Sequence, residues 1–141
     1  MITGYEGPRK RILLADDVAT NRLLLSDMLR PLGFEIEEAS DGRQAVDRAR
    51  SSVPDLIIMD LVMPVMSGMQ AIRLLRQTRP LTGVPIIAVS ANSNAPPSRS
   101  GFDEAGGDCA FVAKPLVRDR VLQEIGARLS LRWTHSVAAA S

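Results

Sequence analysis

Short apolar runs alternate along the chain with longer segments of helical period, and this alternation narrows the fold more than any other feature. The runs are RILLA (11–15), FEIEEA (34–39), DLIIM (55–59), PIIAVS (85–90) and CAFVA (109–113). Between them Leu24, Leu25, Met28, Leu29 and Leu32 share a helical face, as do Ala45, Val46 and Ala49, and then Met69, Ile72 and Leu75. After the last run Val117, Val121, Ile125 and Leu129 step by four, with Arg118, Asp119, Arg120 and Glu124 between them, which predicts a final amphipathic helix. Strands that alternate with helices pair in parallel through right-handed crossovers. The stretches 12–15, 56–59 and 86–89 are apolar throughout, as strands covered on both faces should be. The expected fold class is therefore α/β, a doubly wound five-stranded parallel sheet of (βα)5 order.

Turn residues agree with these boundaries. Gly33 follows the first helix, Pro54 separates the second helix from the third strand, and RPLTGVP (79–85) joins the third helix to the fourth strand. Pro31 removes a backbone donor in the last turn of the first helix, so that helix is expected to end early or bend. The segment NSNAPPSRSGFDEAGG (92–107) carries adjacent prolines, serines and Gly101 where a fourth helix belongs; a helix there is expected only after Pro97, short and easily frayed. With 141 residues the chain has the size of one domain. The expected organisation is an N-terminal extension over 1–9, a folded domain over 10–129, and a C-terminal tail, SLRWTHSVAAAS, over 130–141.

Bulk chemistry excludes several classes. Apolar residues make up 45%, charged residues 23%, and the net charge is +1, so there is no electrostatic case for nucleic acid. Arg9, Lys10 and Arg11 read as a solvated approach to the first strand. The single cysteine, Cys109, rules out an intramolecular disulfide framework and reads as a small buried hydrophobe. With the lone His135 it makes no familiar zinc spacing, and neither His135 nor Trp133 has an assignable role. No apolar run approaches membrane-spanning length, and MITGYEGPRKR has no signal-peptide pattern. A cytoplasmic protein without membrane contact is expected.

The strand ends carry the chemistry. KRILLADDVATNR (10–22) places Asp16 and Asp17 side by side where the first apolar run stops. Strand three ends on Asp60, strand four on Ser90, and strand five is followed by Lys114 and Pro115. Each has a plain reading alone: Asp16 and Asp17 could cap the first helix, Asp60 and Lys114 could be turn residues, and Ser90 could bond its own backbone. In an open parallel sheet, however, ligands bind beyond the carboxyl ends of the strands. If the central strands are neighbours, three carboxylates, a hydroxyl and an ammonium converge there. Clustered carboxylates repel and lose hydration, and a hard divalent cation reverses that cost. Mg²⁺ suits this donor set, because it takes one or two carboxylates and keeps waters that a phosphate can displace. Lys114 would supply a second positive charge for a phosphoryl oxygen, and Ser90 a hydroxyl donor.

LLADD, LIIMDLVMPVMSG, IIAVSA and FVAKPL, in this order on these strands, resemble the response-regulator receiver domain of two-component signalling, over about residues 10–129. The resemblance implies a flavodoxin-like fold and a phosphoacceptor role for Asp60, fed by a histidine kinase or histidine phosphotransfer protein. It further implies Mg²⁺ bound by Asp17 directly, by Asp16 mostly through water, by Asp60, and by the Val62 backbone carbonyl. Lys114 would pair with the phosphoryl group, Ser90 would swing toward it, and Phe111 would occupy the aromatic switch position. The Lys114–Pro115 bond would be cis, and Gly68 would fit the turn into the third helix. Phosphorylation would add charge and acceptor oxygens and shift the domain between conformers read by an effector protein; a homodimer is left open.

This sequence departs from the family pattern at Val62, where many members carry a polar residue that orients water, so slow self-dephosphorylation is expected. Asn92 stands two residues after Ser90, and PPSRSG lengthens the spacing from Ser90 to Lys114. No helix-turn-helix follows, so direct transcriptional output is not expected. Two other functions compete. One is an interaction module that never takes phosphate, and the other an aspartate-nucleophile phosphohydrolase, which would want an acid where Val62 stands.

Overall fold

Ile12 and Leu14 turn to one face of the central strand while Leu13 and Ala15 turn to the other, and all four are buried. A strand without a polar side needs cover on both faces, and the fold supplies it. The structure is a computed structural model that describes residues 1–90 and 109–136. Its elements run β1 (Ile2–Tyr5), β2 (Arg11–Ala15), α1 (Ala19–Leu29), a 3₁₀ turn (Arg30–Leu32), β3 (Glu35–Ala39), α2 (Gly42–Ser51) and β4 (Leu56–Asp60). They continue through α3 (Gly68–Arg76), a second 3₁₀ turn (Leu81–Gly83), β5 (Ile86–Ser90), β6 (Cys109–Ala113), α4 (Arg118–Leu129) and β7 (Trp133–His135). The expectations for a helix within 92–107 and for Asn92 lie outside the described residues.

The main sheet has five parallel strands in the order β3-β2-β4-β5-β6. The chain starts at β2, crosses outward to β3, then returns past β2 to β4. The direction of winding therefore reverses between β2 and β4, and a crevice opens at their carboxyl ends. On one face Ala45, Val46 and Ala49 of α2 and Ala71, Ile72 and Leu75 of α3 pack with Leu13, Ile57 and Met59. On the other, Leu25 and Leu29 of α1 and Val121, Leu122 and Ile125 of α4 pack with Ile12, Ile58 and Val89. Both faces are thus closed by helices, as the apolar strands require.

Local signals act as read. The α-helical part of α1 stops at Leu29, and Pro31 sits in the 3₁₀ turn that follows, closed by Gly33 at φ 106°. Asp41 caps α2 by accepting from the Gln44 amide, and Ser67 caps α3 in a reciprocal capping box with Gln70. Two helical positions behave differently from their period. Leu24 is 56% exposed and Val117 59%, because Leu24 lies beside the groove toward Lys114 and Val117 stands at the N-cap of α4 rather than inside it.

At the termini, within the extension over 1–9 and the tail over 130–141, Ile2–Tyr5 and Trp133–His135 pair antiparallel as a two-stranded ribbon. Trp133, to which the sequence assigns no role, meets Tyr5 and Phe34 edge-on at ring-centroid distances of 6.4 and 6.3 Å, while Tyr5 stacks on Phe34 at 4.5 Å. The Tyr5 hydroxyl donates to the Gly33 carbonyl (3.0 Å) and accepts from the Lys10 amide (2.9 Å). The indole lies so close to Gly126 that a Cβ there would stand 2.7 Å from Trp133 Nε1. Arg118 at the start of α4 donates to the Ile2 carbonyl (3.1 Å), which ties the other end of the ribbon down. Cys109, read as buried, is half-buried on the edge strand and packs against the α2/α3 core.

Candidate active site at the carboxyl ends of the strands

β2 delivers Asp16 and Asp17 and β4 delivers Asp60, from adjacent strands in register, Ala15 beside Met59. One carboxylate oxygen from each of the three lies within 4.8 Å of the others; Asp16 and Asp60 are buried and Asp17 is exposed. The capping alternative for the aspartate pair does not hold. α1 begins at Ala19 with Val18 as its N-cap and no side-chain cap. Asp16 Oδ1 instead accepts from the Val18 amide (2.9 Å) in the turn before the helix.

Lys114 reaches into the cluster from the loop after β6. Its Nζ lies 3.2 Å from Asp60 Oδ2 and 3.5 Å from Asp16 Oδ2. The peptide bond from Lys114 to Pro115 is cis, as the resemblance implied. The Lys114 amide donates to the carbonyl of Ser90 (2.8 Å), so the two loops are joined where β5 and β6 end. Ser90 itself is the buried last residue of β5, adjacent to the Asp60 strand. The Val62 amide donates to Asp60 Oδ1 (3.1 Å), while Val62 is 74% exposed. Gly68 closes the loop by donating to the Leu61 carbonyl (3.1 Å), and a Cβ on it would overlap the Asp60 carbonyl oxygen, so only glycine fits.

The electrostatics follow from this crowding. Burial pushes the Asp60 carboxyl above its ordinary value and Asp16 adds to the push, against the Val62 amide and Lys114, which act the other way. Burial alone would lower the Lys114 ammonium, but its hydrogen bond to Asp60 and the charges of Asp16 and Asp60 carry it above the ordinary lysine value. The cluster therefore holds more negative charge than one ammonium balances. Three carboxylates of which one faces solvent make a donor set that fits a hard divalent cation.

Phe111 lies on the edge strand three residues before Lys114, half-buried against the α2/α3 core. It lines a cavity of about 380 Å³ with Val112, Ala113, Pro115, Val117 and Arg120. A second cavity, of about 430 Å³, opens directly beside Lys114 and is lined by Asn21, Leu24, Lys114, Pro115 and Leu116. Two site residues escape sequence reasoning. Asn21 Nδ2 donates to Asp16 Oδ2 (3.2 Å), and Arg22 Nη1 donates to the Asp16 carbonyl (2.6 Å). Their one signal was position, since polar residues in the first turn of α1 can fold back on the loop that precedes it.

The response regulator receiver domain family matches residues 12–126. The chain belongs to this family. It is 36% identical to the chemotaxis protein CheY of Bacillus subtilis, over 85% of this chain and 98% of that one. It is 40% identical to the sensor protein EvgS of Escherichia coli over 77% of this chain, a match that spans only 9% of EvgS. It is also 33% identical to the DNA-binding response regulator MtrA of Mycobacterium tuberculosis over 86% of this chain, and it spans about half of the length of that relative. Among solved structures it is similar to the receiver domain of the sensor histidine kinase PA1611 of Pseudomonas aeruginosa, at 33% identity and a TM-score of 0.76. That likeness covers 87% of this chain and 99% of that one, and the PA1611 domain was solved with a magnesium ion coordinated in its active site cleft. The receiver domain is thus a signalling domain with the flavodoxin-like α/β fold. Among the described residues no helix is long and apolar enough to cross a membrane.

Proposed function

We propose that this receiver domain accepts a phosphoryl group on Asp60 from a phosphohistidine donor, a histidine kinase or histidine phosphotransfer protein, and passes the change of state to a partner protein. The observation that carries the reading is the meeting of Asp60, Asp16, Asp17 and Lys114 at one strand-end crevice. An Asp60 carboxylate oxygen forms the new O–P bond while the P–N bond of the donor breaks, and the imidazole nitrogen leaves with the electron pair. Asp17 and Asp60, with the Val62 carbonyl and with Asp16 largely through water, would hold Mg²⁺. When bound, it neutralises charge on the phosphoryl oxygens. Lys114 adds a positive point charge on the side of Asp60 Oδ2, and the Val62 amide orients the other oxygen. Ser90 supplies a hydroxyl donor once the phosphoryl group is in place, and Phe111 turns with it.

The folded unit is proposed to run from the ribbon strand at Ile2 to its partner strand ending at His135, rather than from 10 to 129, since each terminal strand completes the other. A phosphotransfer assay tests the function: a radiolabelled phosphohistidine donor is mixed with the chain and Mg²⁺. Label moves to the wild-type chain and not to Asp60→Asn; label on Asp60→Asn, or none on either, refutes the reading.

A further inference from the structure

Asp16 is anchored at every polar atom of its backbone and side chain. Its amide donates to the Ala39 carbonyl (3.1 Å), and its carboxylate accepts from Val18, Asn21 and Lys114. Its carbonyl accepts from Arg22 Nη1 (2.6 Å). That carbonyl belongs to the peptide plane joining Asp16 to Asp17, the plane from which the exposed Asp17 side chain departs. Rotation of the plane would swing the Asp17 carboxylate away from Asp60. The guanidinium that holds it is itself braced, because Arg22 Nε donates to Glu38 Oε1 (3.0 Å) on β3, one residue before the Ala39 carbonyl that receives the Asp16 amide. Arg22 is mostly buried, with its side chain 18% exposed. One planar fork thus joins the first turn of α1, the metal-side loop and the neighbouring strand, a geometry the lysine ammonium cannot reproduce.

From this we infer that Arg22, braced by Glu38, is a positioning residue that sets the Asp17 carboxylate for the divalent cation. The inference rests on the metal reading of the Asp16, Asp17 and Asp60 cluster. Groups that orient a ligand from behind typically change metal affinity by about 10- to 100-fold. The sign separates this role from a simple field effect. Arg22 carries a positive charge near the site, so as a field source its removal would tighten cation binding, whereas as a positioning group its removal weakens it.

Isothermal titration of the full chain with Mg²⁺ decides between them, with thermal unfolding in EDTA as the control for folding. Arg22→Ala is expected to raise the Mg²⁺ dissociation constant about tenfold. Arg22→Lys keeps the charge and is expected not to restore binding. Glu38→Ala, a surface change that removes only the brace, is expected to weaken binding severalfold and carries the test if Arg22→Ala does not fold. Unchanged or tighter binding in Arg22→Ala, or full restoration by Arg22→Lys, overturns the inference. Asp17→Asn separates this failure from that of the metal reading: if wild type does not bind Mg²⁺, or Asp17→Asn binds as well as wild type, the metal reading itself has failed.

Discussion

Lys114 Nζ sits 3.2 Å from Asp60 Oδ2, an ion pair that joins the loop after the last strand of the main sheet to the strand at its centre. The same ammonium lies 3.5 Å from Asp16, so one positive charge serves two buried carboxylates.

Removing that charge leaves Asp16 and Asp60 facing each other. Lys114→Met is expected to lower stability in EDTA by about 2 kcal/mol, below the roughly 3–5 kcal/mol cost of breaking a fully buried pair because the lysine is partly exposed. Saturating Mg²⁺ is expected to recover part of the loss. Urea unfolding with and without the cation checks both statements.

The raised Asp60 carboxyl fixes a pH dependence. The folded state holds this proton more tightly than the unfolded chain, so without metal its contribution makes stability fall as pH rises from the ordinary value of 3.8 through the folded value. Above that window the penalty is constant. Asp60→Asn lacks the ionisation and is expected to be more stable than wild type at neutral pH, with a flatter profile across the acid range. Unfolding measured in EDTA over that range tests it; a less stable Asp60→Asn at neutral pH would contradict it.

Much of this arrangement was legible in the sequence. β2, β4 and β5 read as strands because each is apolar on both sides, and Asp16, Asp60 and Ser90 mark where the apolar runs stop. Asp17 and Lys114 followed from the same strand ends. The ribbon was not legible. Its strands are three and four residues long, pair across nearly the whole chain, and show no period that could be read in isolation. Arg22 was hidden for a different reason: it follows Asn21 in the first turn of α1, far in sequence from the other strand ends, and only the fold brings it under the Asp16 carbonyl. Leu24 misled because helical period assigns a face but not what covers that face.

Val62 exposes two methyl groups beside Asp60 where a polar side chain could hold the water that attacks the phosphoryl group. The phosphorylated domain is therefore expected to lose its phosphoryl group slowly, and Val62→Asn to lose it about tenfold faster. Decay followed after removal of the donor gives both rates; equal rates would show that the side chain at this position does not govern water attack.

The aromatic contact of Trp133 with Tyr5 and Phe34 predicts a stabilising ribbon remote from the chemistry. Trp133→Ala is expected to cost about 2 kcal/mol of stability, below a fully buried truncation because the indole is partly exposed. Phosphorylation of Asp60 should be unchanged at a temperature where both proteins are folded. Circular dichroism melting, paired with the phosphorylation assay, separates the two effects.

The most direct measurement of the central claim is intact-protein mass after incubation with acetyl phosphate, with and without Mg²⁺. The account predicts a gain of one phosphoryl group per chain that requires Mg²⁺, survives acid, is released by alkali and is absent from Asp60→Asn. An adduct that forms equally in EDTA, or that persists in Asp60→Asn, would contradict it.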